Sequence, residues 1–163
     1  MTVTARCLIL ACGNTLREDD GVGPSLARWA EKRWRDDAPV RVICDHQWTP
    51  EMAEDVARAE AVIFVDCATD CAPGLVRCIP AEPAPDSTNL GMHHLDATQL
   101  LALSRDLYGT MPRSSLLLTV GAGSLELREG FSEAVQAALP KARQALEYAV
   151  QSLLQVSVRS LRA

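Results

Sequence analysis

Apolar residues along this chain fall alternately into short unbroken runs and into longer stretches with helical spacing. Residues 7–12 form a continuous apolar run that stops at Gly13-Asn14, as expected for a strand buried on both faces and followed by a turn. Beyond it, Val22, Leu26, Trp29, Ala30 and Trp34 recur at helical spacing, with Pro24 near the start where a helix tolerates it. Residues 40–44 are a second apolar run. After a loop over 45–50, residues 51–58 set Met52 and Val56 on one side of a helix. The run AVIFV at 61–65 is the clearest strand and should end at Asp66. A weaker strand at 75–79 follows Pro73-Gly74 and suits a sheet edge. Residues 80–92 contain three prolines and little periodicity, which predicts a surface loop longer than connections usually are. Helical spacing returns over 95–108, and 116–120 is another buried strand. Ser132 is placed to cap a helix that breaks at Pro140, restarts with it, and continues through Leu146, Val150 and Leu153.

Strands that alternate with helices, and that are apolar along their whole length, imply a parallel sheet covered on both faces. The expected fold is a single three-layer α/β domain over residues 1–156, with a mainly parallel twisted sheet of about five strands and helices on both faces. Residues 157–163 are expected to be a disordered tail. In such sheets ligands bind outside the carboxyl ends of the strands, where connections diverge to opposite faces. Polar residues just after strands are therefore the candidates.

Composition narrows the field. Hydrophobic residues make up 48% of the 163 and charged residues 23%, which is ordinary for a globular protein. Sixteen Lys and Arg against 21 Asp and Glu give a net charge of -5, which disfavours nucleic acid and anionic membranes as partners. The first residues lack the long apolar region and cleavage site of a secretory signal, so the cytoplasm is the expected compartment. The six cysteines are then reduced thiols. Cys67, Cys71 and Cys78 form no C-x-x-C pair and read as small hydrophobes rather than zinc ligands.

Four segments bring chemistry to strand ends or loops: Asn14, Glu18, Asp19 and Asp20 after the first strand, Asp45 and His46 after the second, Asp66 after the third, and the His93-His94 pair. An ionisable group ending an apolar strand suffers desolvation unless something pairs with it; a turn or cap acid is the bland alternative for Asp66. If Asp20 and Asp66 approach within a few Å, their repulsion is relieved by a shared proton or by a divalent cation. Adding His93 makes an oxygen, oxygen, nitrogen set suited to nickel or zinc. Gly13, Gly21 and Gly23 are superficially similar to a dinucleotide fingerprint, but the spacing differs, and Glu18, Asp19 and Asp20 would repel a pyrophosphate at the helix N-terminus. Those acids also suit the helix dipole. No serine stands in G-x-S-x-G, so peptide hydrolysis here would use water activated by a carboxylate or a metal.

The string LACGNTLREDDGVG closely resembles the G-N-x-L-x-x-D-[DE]-G-x-G opening of the hydrogenase maturation proteases. In the right order follow HQWTPE at 46–51, similar to an H-Q-L-T-P-E segment of one branch, then VIFVDCA with the third-strand Asp, MHHLDATQLLAL with the His-bearing segment, LYGTMP, and LTVGAGSLELREGFSEAV. The likeness covers most of the chain from Cys7 to about Pro140. It implies an endopeptidase that removes the C-terminal extension of a nickel-iron hydrogenase large-subunit precursor once nickel is in place. By the same resemblance Asp20 and Asp66 are the catalytic residues, and Asp20, Asp66 and His93 are ligands to nickel delivered on the substrate; zinc or cadmium could occupy the same site. Asp45, His46, Asp19 and Asn14 are possible accessory members. The family is regarded both as metal-associated and as aspartic-type. This chain departs from the better-known branch where His46-Gln47-Trp48-Thr49 replaces an Asp-Gly-Gly-Thr-like loop. His93 aligns with the family histidine, and His94 takes a position often held by Gln. The rival reading is a non-enzymatic nickel-binding hydrogenase assembly factor.

Overall fold

The computed structural model describes residues 5–37, 39–87 and 95–160. The element order is β1 (Cys7–Cys12), α1 (Val22–Arg33), β2 (Val40–Asp45), α2 (Met52–Arg58), β3 (Ala61–Ala68), β4 (Val76–Pro80), α3 (Ala97–Tyr108), β5 (Ser114–Gly121) and α4 (Glu133–Ser160), with one 3₁₀ turn at Glu18–Gly21. The sheet order is β2-β1-β3-β5-β4. β1 pairs in parallel with both β2 and β3, and β3 with β5, while β4 runs antiparallel along the edge of β5.

Strand geometry divides the apolar residues between two cores. Successive side chains point to opposite faces. Cys7, Ile9 and Ala11 of β1 with Ile63 and Val65 of β3 therefore meet Leu26 and Ala30 of α1 and Leu139, Ala142 and Leu146 of α4. Leu8, Leu10, Val62 and Phe64 face the other way, onto Val56 of α2 and Leu100 and Leu101 of α3. Each of these large side chains is fully buried and contributes roughly 1.5–3 kcal/mol relative to an exposed position. The three-layer α/β expectation is met. Among the described residues no helix is long and apolar enough to cross a membrane.

Three details differ from the sequence reading. β3 does not stop at Asp66 but runs to Ala68, because β5 continues to pair with it after β1 has ended at Ala11–Val65. Helix α4 is not broken at Pro140: it is one helix from Glu133 to Ser160 with the proline inside. Buried Val135, Ala138 and Leu139 before Pro140 and Ala142, Leu146 and Val150 after it lie on one stripe against the sheet. That packing outweighs the lost hydrogen bond, and Pro140 itself sits on the exposed side. The helix also continues past Val156, through the first residues of the expected tail.

Pro140→Ala restores an amide donor to the middle of α4 and removes a ring clash worth about 3 kcal/mol, against a loss of up to about 1 kcal/mol from a freer unfolded chain. The expected result in urea unfolding is a higher midpoint with an unchanged slope. A lower midpoint would mean that the Pro140 ring itself is needed for packing.

Candidate active site

Strand order sets the location of the site. The chain leaves β1 through α1 toward β2 on one side, whereas β3 leads toward β5 on the other, so connections diverge at the carboxyl ends of β1 and β3. A cleft of about 380 Å³ opens there, lined by Cys12, Asn14, Arg17, Asp20, His46 and Asp66 among others, with Trp48 and Leu125 as apolar walls.

Asp20 and Asp66 face one another across this point. One ligand-capable atom from each, together with the sulfur of Cys67, all lie within 4.8 Å of one another. The Asp20 carboxylate accepts hydrogen bonds from the Asn14 backbone N–H at 2.7 Å and from the Cys67 thiol at 3.3 Å. Asp66 accepts from the Cys67 N–H at 2.8 Å. The Cys12 thiol, at the end of β1, also lines the cleft. Burial first, and then the nearby carboxylates, push the thiols of Cys12 and Cys67 far above their ordinary value, so both stay protonated and Cys67 donates to Asp20. Two carboxylates and a thiol this close, with further room in the cleft, fit a single divalent cation.

The backbone must bend sharply to aim Asp20 here. Gly13 has φ +149°, and a Cβ on it would stand 1.9 Å from the Asp20 carbonyl oxygen; one on Gly23 would stand 2.1 Å from that of Cys12. These two glycines let the first loop and α1 lie directly against the end of β1.

The neighbouring acids do a different job. Asp19 was a candidate accessory member of the cluster, but it points away from the cleft and is fully buried. Its Oδ2 accepts from the Gly123 and Ser124 N–H groups and from the Ser132 hydroxyl, at 2.7, 2.9 and 2.7 Å, and its Oδ1 accepts from the Ser132 N–H at 2.7 Å. Burial alone would raise its pKa, but these donors outweigh it and hold the carboxyl below its usual value. Glu18, equally buried and in a left-handed conformation at φ 46°, is fixed by the Arg128 guanidinium and by its own N–H to the Arg128 carbonyl. Both residues staple the first loop to the loop after β5. Ser132 does cap α4, its hydroxyl accepting from Val135 N–H at 3.4 Å while donating to Asp19.

The other sequence candidates divide. His46 lines the cleft. Asp45 lies in an adjoining hollow instead and accepts from the His46 N–H, so it orders that turn and does not join the cluster. Asn14 lines the cleft and holds Asp20 through its backbone, while its side-chain oxygen closes a turn onto Leu16 N–H. His93 and His94 lie outside the described residues. Trp48, part of the segment that departs from the better-known branch, is buried and packs edge-on against Phe64 with ring centroids 5.3 Å apart, which anchors the turn that carries His46. Sequence reasoning missed Cys67 and Cys12; the available signal was that one follows Asp66 directly and the other ends β1.

A family model described as hydrogenase maturation protease matches residues 45–149, well over half of the chain. Among solved structures, the hydrogenase maturating endopeptidase HybD from E. coli superposes with a TM-score of 0.72 at 24% identity, over 90% of this chain and 93% of that one. A hydrogenase 2 maturation peptidase from a Thaumarchaeota archaeon has a TM-score of 0.65 at 26% identity, covering 90% and 98%. The [NiFe] hydrogenase maturation protease HycI from Thermococcus kodakarensis has a TM-score of 0.63 at 23% identity, covering 91% and 92%. No curated protein matches by sequence.

Asp19→Asn replaces an acceptor oxygen with an amide that confronts backbone N–H donors, and should cost about 3 kcal/mol at neutral pH. Because folding depresses the Asp19 pKa, its stabilisation is complete above the unfolded value of about 3.9 and fades as pH falls through the folded value. Urea unfolding at a series of pH values should show the wild type losing its advantage over the variant below about pH 4. Parallel curves at all pH values would show that the Asp19 charge is not what matters.

Proposed function

Because the chain belongs to the hydrogenase maturation protease family, we propose that it removes the C-terminal extension of a nickel-iron hydrogenase large-subunit precursor, with nickel on that precursor as the recognition element. The observation that supports this most is the meeting of Asp20 and Asp66 at the carboxyl end of the sheet, in a cleft of about 380 Å³. On this reading the two carboxylates face the metal carried by the substrate. His93, at the mouth of the long loop in sequence, is the nitrogen donor the resemblance implies, and zinc or cadmium would suit the same donors.

The chain's own residues then act in two ways. Asp20 is held by the Asn14 N–H and Asp66 by the Cys67 N–H, so both acceptors are oriented before substrate arrives. A carboxylate beside the scissile carbonyl accepts the proton of the attacking water and returns it to the departing amine, which keeps the proton count balanced. His46, on the cleft wall, is positioned to share that proton traffic, and Trp48 and Leu125 offer apolar surface to the peptide. Nickel bound to the precursor supplies the positive charge that attracts both acids, which the fold already holds within a few Å of each other. A precursor without it leaves them repelling each other and is poorly held.

Incubating the purified protein with nickel-loaded precursor should shorten the precursor, as read by mass spectrometry, and leave nickel-free precursor intact. Asp20→Asn and Asp66→Asn should each slow cleavage at least about 100-fold while preserving the circular dichroism of the fold. Cleavage indifferent to nickel removes the recognition role. An unshortened precursor that nevertheless binds in a nickel-dependent way would identify an assembly factor rather than a peptidase.

A further inference from the structure

Cys67 stands immediately after Asp66 on β3, where the strand continues past the end of β1, and its sulfur lies within 4.8 Å of a carboxylate oxygen of each acid. We propose that Cys67 is itself a metal ligand, so that this chain offers the cation an oxygen, oxygen, sulfur set from Asp20, Asp66 and Cys67. The inference rests on the reading of Asp20 and Asp66 as metal-facing groups, and adds a donor that the sequence motifs do not assign.

The distances carry it. In a tetrahedral site with metal–sulfur and metal–oxygen bonds of about 2.3 and 2.0 Å, neighbouring sulfur and oxygen ligands lie about 3.5 Å apart. Cys67 Sγ and Asp20 Oδ1 are 3.3 Å apart, and no pair among the three donors exceeds 4.8 Å. Without metal the thiol proton bridges this gap to Asp20. A divalent cation replaces that proton: the S–H bond breaks, a sulfur–metal bond forms, and one proton leaves to solvent with no change in oxidation state. Cys12 is placed differently: it lines the cleft at 7% exposure but lies outside the three-donor group.

A thiolate changes which ions the site accepts. Two carboxylates alone suit magnesium or calcium, whereas a sulfur ligand reinforces the preference for nickel, cobalt, zinc and cadmium that the His93 nitrogen already implies. The cleft would discriminate for a precursor carrying such an ion, and the chain would hold the ion weakly even before substrate supplies further ligands.

Cobalt(II) added to the metal-free full-length protein tests this by spectroscopy, without any peptidase assay. The expected results are an intense near-ultraviolet thiolate-to-cobalt band and one sulfur neighbour at about 2.3 Å in X-ray absorption. Both should vanish in Cys67→Ser and Cys67→Ala. Affinity should fall by more than the roughly 10–100-fold that loss of an outer-shell partner costs, with thermal unfolding checked to confirm the fold. Cobalt bound only through oxygen and nitrogen, a band that survives in both variants, or no binding at all by the wild type would each overturn the proposal. Nickel-dependent precursor cleavage that persists while the wild type shows no thiolate band would sink the Cys67 ligand and spare the peptidase. A thiolate band without any cleavage would do the reverse.

Discussion

The arrangement of the cleft depends on one buried carboxylate that is not in it. Asp19 accepts four hydrogen bonds from Gly123, Ser124 and Ser132, which ties the loop after β1 to the loop after β5. A charge so completely removed from water is tolerable only because every donor is in place. The same requirement makes the two loops move as one body. Glu18 with Arg128 adds a second tie one residue earlier, at the cost of a left-handed backbone. With the preceding residues fixed in this way, Asp20 has one direction left, toward Asp66.

The sheet supplies the other half of the constraint. β1 ends where β3 continues, so Asp66 reaches past that neighbour into the cleft, while Cys67, on the opposite face of the strand, meets Asp20. Close approach at Gly13 and Gly23 lets that loop lie flat on the strand end. Core packing of α1, α4 and β3 on one face, and of α2, α3 and β3 on the other, keeps this end of the sheet rigid. Chemistry that needs two carboxylates a few Å apart therefore rests on packing that forbids them to separate.

The fold was legible because its strands are unbroken apolar runs and its helices carry a single apolar stripe. AVIFV and LLLTV read as buried strands with no ambiguity. What escaped was governed by tertiary contacts. Pro140 is a helix breaker in isolation and becomes tolerable when a stripe of buried residues holds both halves of α4 on the sheet. By residue type Glu18, Asp19 and Asp20 are three acids ahead of a helix; the motif resemblance singles out Asp20, and the loop after β5 shows that the other two are internal staples. Cys67 resembled other small hydrophobes because its partner Asp20 is 47 positions away. Trp48 stood out only as part of a departing segment, since the sequence does not show the Phe64 ring on which it rests.

On the proposed function, Asp20 and Asp66 form one cation-binding point at the β1–β3 crevice. Anomalous diffraction at the zinc edge, from crystals of the protein soaked in zinc, tests it most directly. A single strong peak within about 2.2 Å of a carboxylate oxygen of both residues is the predicted result. Peaks only at other acids or surface cysteines, with Asp20 and Asp66 bare, would contradict it.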